Sequence, residues 1–278
     1  MFASIPSPSW SSLSIGPIEL RMYGFLIAVG VVLAVRRLGI GLERFKTGGS
    51  EAAASIGMWG VGAGLIGARL YHVVTEWDRF SGNLSEIPQV WHGGLGVPGG
   101  VLLGTIVGVL RARSFGISTA ETLHAAAPAI PLAQAVGRWG NWFNQELFGR
   151  PTTLPWALRI DDDHLPAAYE SGTTFHPTFL YESMWTLGLS LWLVRLSGSP
   201  RFTGSRLFAL YVSGYGLGRL WIEGLRIDDA SVIGGLRWNQ WVAIAAIVGG
   251  LIYLAVRSSS GDSAEEVDVQ QAATNGDR

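Results

Sequence analysis

Apolar and polar residues alternate along the chain in long blocks. Seven apolar windows stand out, at roughly 19–38, 53–74, 95–113, 119–138, 178–197, 204–224 and 239–257. A helix needs about 20 mostly apolar residues to cross the hydrocarbon core of a bilayer. The pattern therefore predicts an all-α polytopic membrane protein with about seven transmembrane helices. The first and last windows are the cleanest. The third is crowded with glycine (Gly93, Gly94, Gly96, Gly99, Gly100, Gly104) and contains Pro98, and the fourth contains Pro128 and Pro131. Interruptions of this kind persist in a membrane where they are buried in protein or line a wet cavity.

The polar blocks predict the rest. Residues 1–20 hold no Lys or Arg and include Pro6, Pro8 and Gly16. They read as a polar arm before the first span, not as a signal peptide. The longest connection, about 140–177, carries Asp161–Asp163, Pro151, Pro155 and Pro166, with strand-like pieces such as Trp156–Ile160. It reads as a small extracytoplasmic head inserted into a single transmembrane domain over 1–257. Residues 258–278 are polar and acidic and read as a disordered cytoplasmic tail.

Composition agrees with the window count. Only 15% of the 278 residues are charged and mean hydropathy is +0.30, whereas soluble chains run near a quarter charged. The 38 Gly and 12 Trp suit membrane helices. A net charge of −1 argues against a nucleic-acid binder. With no Cys, disulfides, thiolate metal sites and a cysteine nucleophile are excluded. Arg36, Arg37, Arg44, Lys46, Arg111, Arg113, Arg195, Arg201, Arg206 and Arg257 fall at alternate window ends, which should be cytoplasmic. The N-terminus is then outside and the C-terminus inside.

Ionisable residues within spans are costly and mark function by default. Two segments concentrate them. In Gly137–Arg150, Arg138 and Asn141 share a helical face, with Asn144 and Glu146 close behind and Gly149 open to backbone approach. In Tyr215–Arg226, the residues Tyr215, Arg219, Glu223 and Arg226 form one stripe, and two Arg against one Glu leave a positive surplus that fits an anion. A snorkelling interfacial anchor and a self-neutralising ion ladder are the plainer alternatives. His92 opens the Gly-rich entry to the third window. His176, Tyr181 and Glu182 open the fifth and read as a polar network, either a helix cap or a ligand contact. Tyr23, in the first window, belongs to the outer level. His72, His124 and His164 have no ligand spacing with any partner, so no metal is predicted.

At these residues the chain resembles the prolipoprotein diacylglyceryl transferase family of bacterial inner-membrane enzymes. The resemblance covers roughly 16–226. It is carried by the run Gly137–Thr152, by Gly16–Gly24, by Gly67-Ala68-Arg69-Leu70, by His176–Glu182 and by the Tyr215–Arg226 stripe. It implies seven spans, a periplasmic head, and transfer of the diacylglyceryl group from phosphatidylglycerol to the lipobox cysteine of a prolipoprotein, with release of sn-glycerol 1-phosphate. The partners are then that lipid, as co-substrate, and the precursor's signal peptide; no bound cofactor is implied. The family's important positions carry over onto Arg138, Asn141, Asn144, Glu146, Gly149, Tyr23, Tyr215, Arg219, Glu223 and Arg226. One does not: where many members have a His in a Phe-His-Gly-Gly stretch, this chain has Pro98, and His92 lies six residues earlier.

The implied chemistry assigns roles. Arg138 and Arg219 would clamp the phosphate, each fork holding two oxygens. Asn141, Asn144 and Tyr23 would orient the headgroup. Glu146 and Glu223 would hold the arginines. His92, His176 or Glu146 would take the thiol proton. Two other classes remain open: a transporter or lipid-anion binding protein, whose site belongs near mid-bilayer, and a catalytically inactive homologue.

Overall fold

The computed structural model describes residues 4–16, 18–89 and 96–275. Each of the seven apolar windows coincides with a helix: α1 (Met22–Leu42), α2 (Gly49–Thr75), α4 (Val97–Ser114), α5 (Thr119–Gly137), α7 (Thr178–Leu196), α8 (Ser205–Glu223) and α9 (Trp238–Asn275). Two short helices, α3 (Trp77–Phe80) and α6 (Trp139–Phe143), complete the α-helices among the described residues. Among the described residues, three helical stretches are long and apolar enough to cross a membrane by length and composition, Met22–Leu42, Gly49–Thr75 and Trp238–Val256. Many helix side chains are apolar and uncovered, such as Met58 at 68%, Leu102 at 65% and Met184 at 65% exposure. Apolar surface on that scale belongs against lipid rather than water. The helical backbone of α9 runs on to Asn275, through residues whose composition reads as an unstructured tail.

The chain divides into two compact units, Met1–Ala34 with Ala127–Arg278, and Val35–Ala126. The smaller unit is built on glycine. A Cβ on Gly67 would strike the Gly99 carbonyl, and one on Gly104 would lie 2.9 Å from the Gly60 carbonyl. Backbones of α2 and α4 therefore touch, the close approach that small residues permit between membrane helices. At one end the buried Arg69 donates to the carbonyls of Ile87 and Glu86, both at 2.7 Å, and its guanidinium lies over Phe80. Arg69 thus helps hold the segment that follows α2.

In the larger unit, serine hydroxyls join α7 to α5. Ser183 donates to the Ala135 carbonyl at 2.8 Å and Ser190 to the Pro128 carbonyl at 2.7 Å. Ala127, Leu189, Leu193, Leu207 and Tyr211 form the core beside them. On the other face of α8, Gly216 and Gly250 bring α8 and α9 to backbone contact, leaving each glycine about 2.9 Å for a Cβ against a facing carbonyl.

The all-α expectation, with strand-like pieces only in the head, needs one correction: seven short strands are present among the described residues. They are β1 (Ser4–Pro6), β2 (Ser12–Ile15), β3 (Ile18–Arg21), β4 (Ala157–Arg159), β5 (Thr174–Phe175), β6 (Val232–Ile233) and β7 (Leu236–Arg237). β4 lies where Trp156–Ile160 reads as strand-like. It is the centre of a three-stranded sheet ordered β1-β4-β5, parallel to β1 and antiparallel to β5. Ser4–Pro6 of the arm is therefore held in a sheet. It adds a strand to residues 150 positions away, which no local pattern announces. Phe148, Leu158, Ile160, Phe175 and Phe179 close a second core against this sheet, with Ile5 from the arm packed on it. The pairs β2–β3 and β6–β7 are hairpins; the second turns on Gly234 and Gly235, with φ of 58° and 81°.

Candidate functional site

The site is assembled where helices end. Arg138 stands between α5 and α6, Glu182 in the second turn of α7, and Arg219 one turn before α8 stops at Glu223. Arg138 Nε pairs with Glu182 Oε2, and Arg219 Nη1 pairs with Glu182 Oε1 at 3.1 Å. One carboxylate thus holds two guanidinium groups from helices some 80 positions apart in the chain. Arg219 also reaches Glu223, with Nη2 to Oε2 at 2.6 Å, an ion pair whose angle misses hydrogen-bond geometry.

Glu223 is fully buried and answered from several sides. Arg237 Nε donates to its Oε1 at 2.8 Å, Asn239 Nδ2 donates to the same oxygen at 3.2 Å, and Arg226 Nη1 lies 3.7 Å from Oε2. Arg226 in turn grips Asp228 with two parallel bonds of 2.7 and 2.9 Å. Burial would push the Asp228 carboxyl up. The bonds and charge of Arg226, with the charge of Arg237, outweigh it and hold that carboxyl below the usual range. Four guanidinium groups face three carboxylates, so the cluster keeps a positive excess.

A narrow cleft of about 10 Å³, room for little more than one water molecule, lies against this cluster. Glu182, Trp185, Thr186, Tyr215, Gly218, Arg219 and Ile222 line it. Tyr215 and Arg219 thus share one wall, as their helical spacing predicts. The cleft is narrowed by Trp185, whose indole lies against Gly218 and donates to the Gly214 carbonyl at 2.9 Å.

The turn after α6 is strained and tightly held. Gln145 and Leu147 both take left-handed backbone, with φ of 51° and 60°, which side chains other than glycine rarely adopt. Gln145 secures it by donating to the Pro8 carbonyl at 3.0 Å and to Asp161 Oδ2 at 2.7 Å. Glu146, between them, accepts from Asn141 Nδ2 at 2.7 Å and Asn144 Nδ2 at 3.1 Å. Glu146 therefore orders the two asparagines instead of an arginine, a correction to the expectation that it braces one. Glu182 takes that task. Gly149 is bridged to Arg226 and donates its N–H to the His176 carbonyl at 2.9 Å. A Cβ there would sit 2.8 Å from His176 Cβ and 3.2 Å from the Leu225 carbonyl. Its smallness stitches the turn to the end of α8.

His176 Nδ1 meets the Tyr181 hydroxyl at 3.1 Å, and Trp156 Nε1 donates to that hydroxyl at 3.0 Å. Burial, then the charge of Arg150, lower the His176 pKa, so its imidazole is neutral at physiological pH. Tyr23 is 38% exposed and lays its ring over Gly140, next to Asn141. His92 lies outside the described residues.

Reading the sequence singles out most of this set but assigns no role in the cluster to Glu182, and passes over Asp228, Arg237 and Asn239. Glu182 was detectable, since a carboxylate in an apolar window needs a cation. The other three follow α8 in a polar loop, where charge carries no signal.

Comparison with known proteins bears on the family of the chain. The family model described as "Prolipoprotein diacylglyceryl transferase" matches residues 11–256. A phosphatidylglycerol–prolipoprotein diacylglyceryl transferase of Frankia alni is 46% identical, over 92% of this chain and 68% of its own length. Such a transferase of Streptomyces coelicolor is 43% identical over 98% and 86%, and one of Cutibacterium acnes is 42% identical over 93% and 89%. With a match of that extent, and with the motif residues gathered at one set of helix ends, the chain belongs to the prolipoprotein diacylglyceryl transferase family.

Proposed function

We propose that this protein transfers the diacylglyceryl group of phosphatidylglycerol to the lipobox cysteine thiol of a prolipoprotein, releasing sn-glycerol 1-phosphate. The observation that carries the reading is the convergence of Arg138 and Arg219 on Glu182 beside a cleft. All seven long helices cross the bacterial inner membrane in this reading, with the head and N-terminus outside and the acidic tail inside. The uncovered Leu102 on α4 and Met184 on α7 support lipid contact for helices less apolar than α1.

In the reaction the cysteine sulfur attacks a glycerol carbon. A C–S bond forms, the C–O bond to phosphate breaks, and its electron pair stays on the bridging oxygen. Charge grows on that oxygen as the bond lengthens. A guanidinium already fixed in place favours that state over the bound lipid. Arg138 and Arg219 serve here, since Glu182 orients them while leaving both partly exposed at 23% and 16%. Tyr23, Asn141 and Asn144 orient the glycerol headgroup, the asparagines held by Glu146. A free thiol has a pKa of about 8.5, and the cationic cluster lowers it. Neutral His176 and the Glu146 carboxylate are the described groups suited to accept its proton. The lipid supplies the transferred group, so the scheme calls for no resident cofactor.

A transporter places its ion-binding groups near mid-bilayer. The cluster described here lies at the ends of α5, α7 and α8, which favours a headgroup enzyme. Incubation in nanodiscs with labelled phosphatidylglycerol and a lipobox peptide tests this. The wild type should give a thioether-linked product. Arg138→Ala and Arg219→Ala should each lose on the order of a hundred-fold in rate. Near-normal glycerol phosphate release by either variant would remove the clamp.

A further inference from the structure

We propose that Arg237 is a positioning residue that sets the preference for an anionic over a zwitterionic phospholipid headgroup. It rests on the function proposed above. Arg237 lies on β7, and each of its three guanidinium nitrogens is engaged. Nε binds Glu223 Oε1 at 2.8 Å, Nη1 binds the carbonyls of Arg226 and Asp228 at 3.2 and 2.9 Å, and Nη2 binds Asp228 Oδ2 at 3.0 Å. It does not line the cleft, so it acts through Glu223. With Asn239 it draws off one oxygen of Glu223 and leaves Oε2 for Arg219 and Arg226.

The charge count depends on this residue. Without Arg237 three guanidinium groups would meet three carboxylates, and the cluster would be neutral. Glu223 and Asp228 would then turn wholly to Arg219 and Arg226, and the cleft would lose its positive field. A phosphodiester with an uncharged alcohol carries one negative charge and gains from that field. A headgroup that also carries an ammonium gains nothing, since its positive end is repelled. A single charge about 10 Å away, at an effective dielectric near 20, shifts binding on the order of tenfold.

The test uses the full chain in nanodiscs of mixed phosphatidylglycerol and phosphatidylethanolamine, with initial rates measured against phosphatidylglycerol content. For Arg237→Gln, KM should rise on the order of tenfold while kcat stays close to wild type. Arg237→Lys, which keeps the charge, should recover most of that loss. Asp228→Asn removes a negative charge from the same cluster and should move KM the opposite way, downward. A merely structural role would make Asp228→Asn behave like Arg237→Gln. An unchanged KM in Arg237→Gln, no recovery in Arg237→Lys, or a KM that rises or stays fixed in Asp228→Asn overturns the proposal. If Arg237→Gln does not fold, Asp228→Asn decides alone. If the wild type turns over no phosphatidylglycerol, the functional reading fails on its own. Quenching of tryptophan fluorescence by brominated phosphatidylglycerol against brominated phosphatidylethanolamine then decides the lipid preference, on the same variants and with the same expected directions.

Discussion

Glu182 carries an unusual burden for one side chain, because the two guanidinium groups it joins would otherwise repel each other. Glu182→Gln keeps the shape and removes the charge. The arginines should splay, lowering kcat on the order of ten- to a hundred-fold, while KM for the lipid stays level or falls because the positive excess grows. Initial-rate kinetics separate the two effects. Gly149 makes a different demand, for space. Gly149→Ala puts a methyl between His176 and the Leu225 carbonyl, and should cost about 1–3 kcal/mol of stability, read as a lower melting temperature in detergent. Arg138, Asn141, Glu146 and the Tyr215–Arg226 stripe were legible as single residues, because polar groups in apolar surroundings stand out. Their pairings were not. Glu146 sits close to Arg138 in sequence, yet the left-handed turn at Gln145 and Leu147 aims it at asparagines.

Among the elements, helices were easy to place because a twenty-residue apolar block has few other fates, and every predicted window became one. The glycines of the third window read only as interruptions, and those of the second carried no structural reading. In the structure they are the contact surface of α2 with α4, each backbone fitting where the other has no side chain. Gly67→Ala should therefore separate these helices, at about 1–3 kcal/mol, even though alanine is the better helix former. Retained stability in a melting experiment would show that the helices can slide to make room. Strands were legible only in part. β4 had β-branched and aromatic neighbours, and β6 and β7 pair locally across a Gly-Gly turn, whereas β1 owes its existence to β4, a partner far along the chain.

For the whole molecule, acidity is a lever. The pKa of His176 is lowered from 6.5 by burial and by Arg150, so the folded state resists the proton that the unfolded chain accepts. Its contribution is intact above about pH 6.5 and is lost as pH falls toward the folded value. The melting temperature should decline as pH falls below about 6.5, and His176→Gln should flatten that decline. Topology is open to an equally direct measurement, since the chain has no native Cys to remove. In spheroplasts, Ser9→Cys and Glu170→Cys should react with an impermeant maleimide, and Thr47→Cys should not. The pairing of β1 with β4 sharpens this beyond any count of apolar windows. Ser4 and Ala157 are register partners in one parallel strand pair, so both stand in the same compartment. A chain that leaves one side of a bilayer and returns has crossed it an even number of times. Parity alone therefore obliges α1, α2, α4 and α5 to cross four times, twice or not at all, and any scheme that drops a single one of them from the membrane breaks the strand pair.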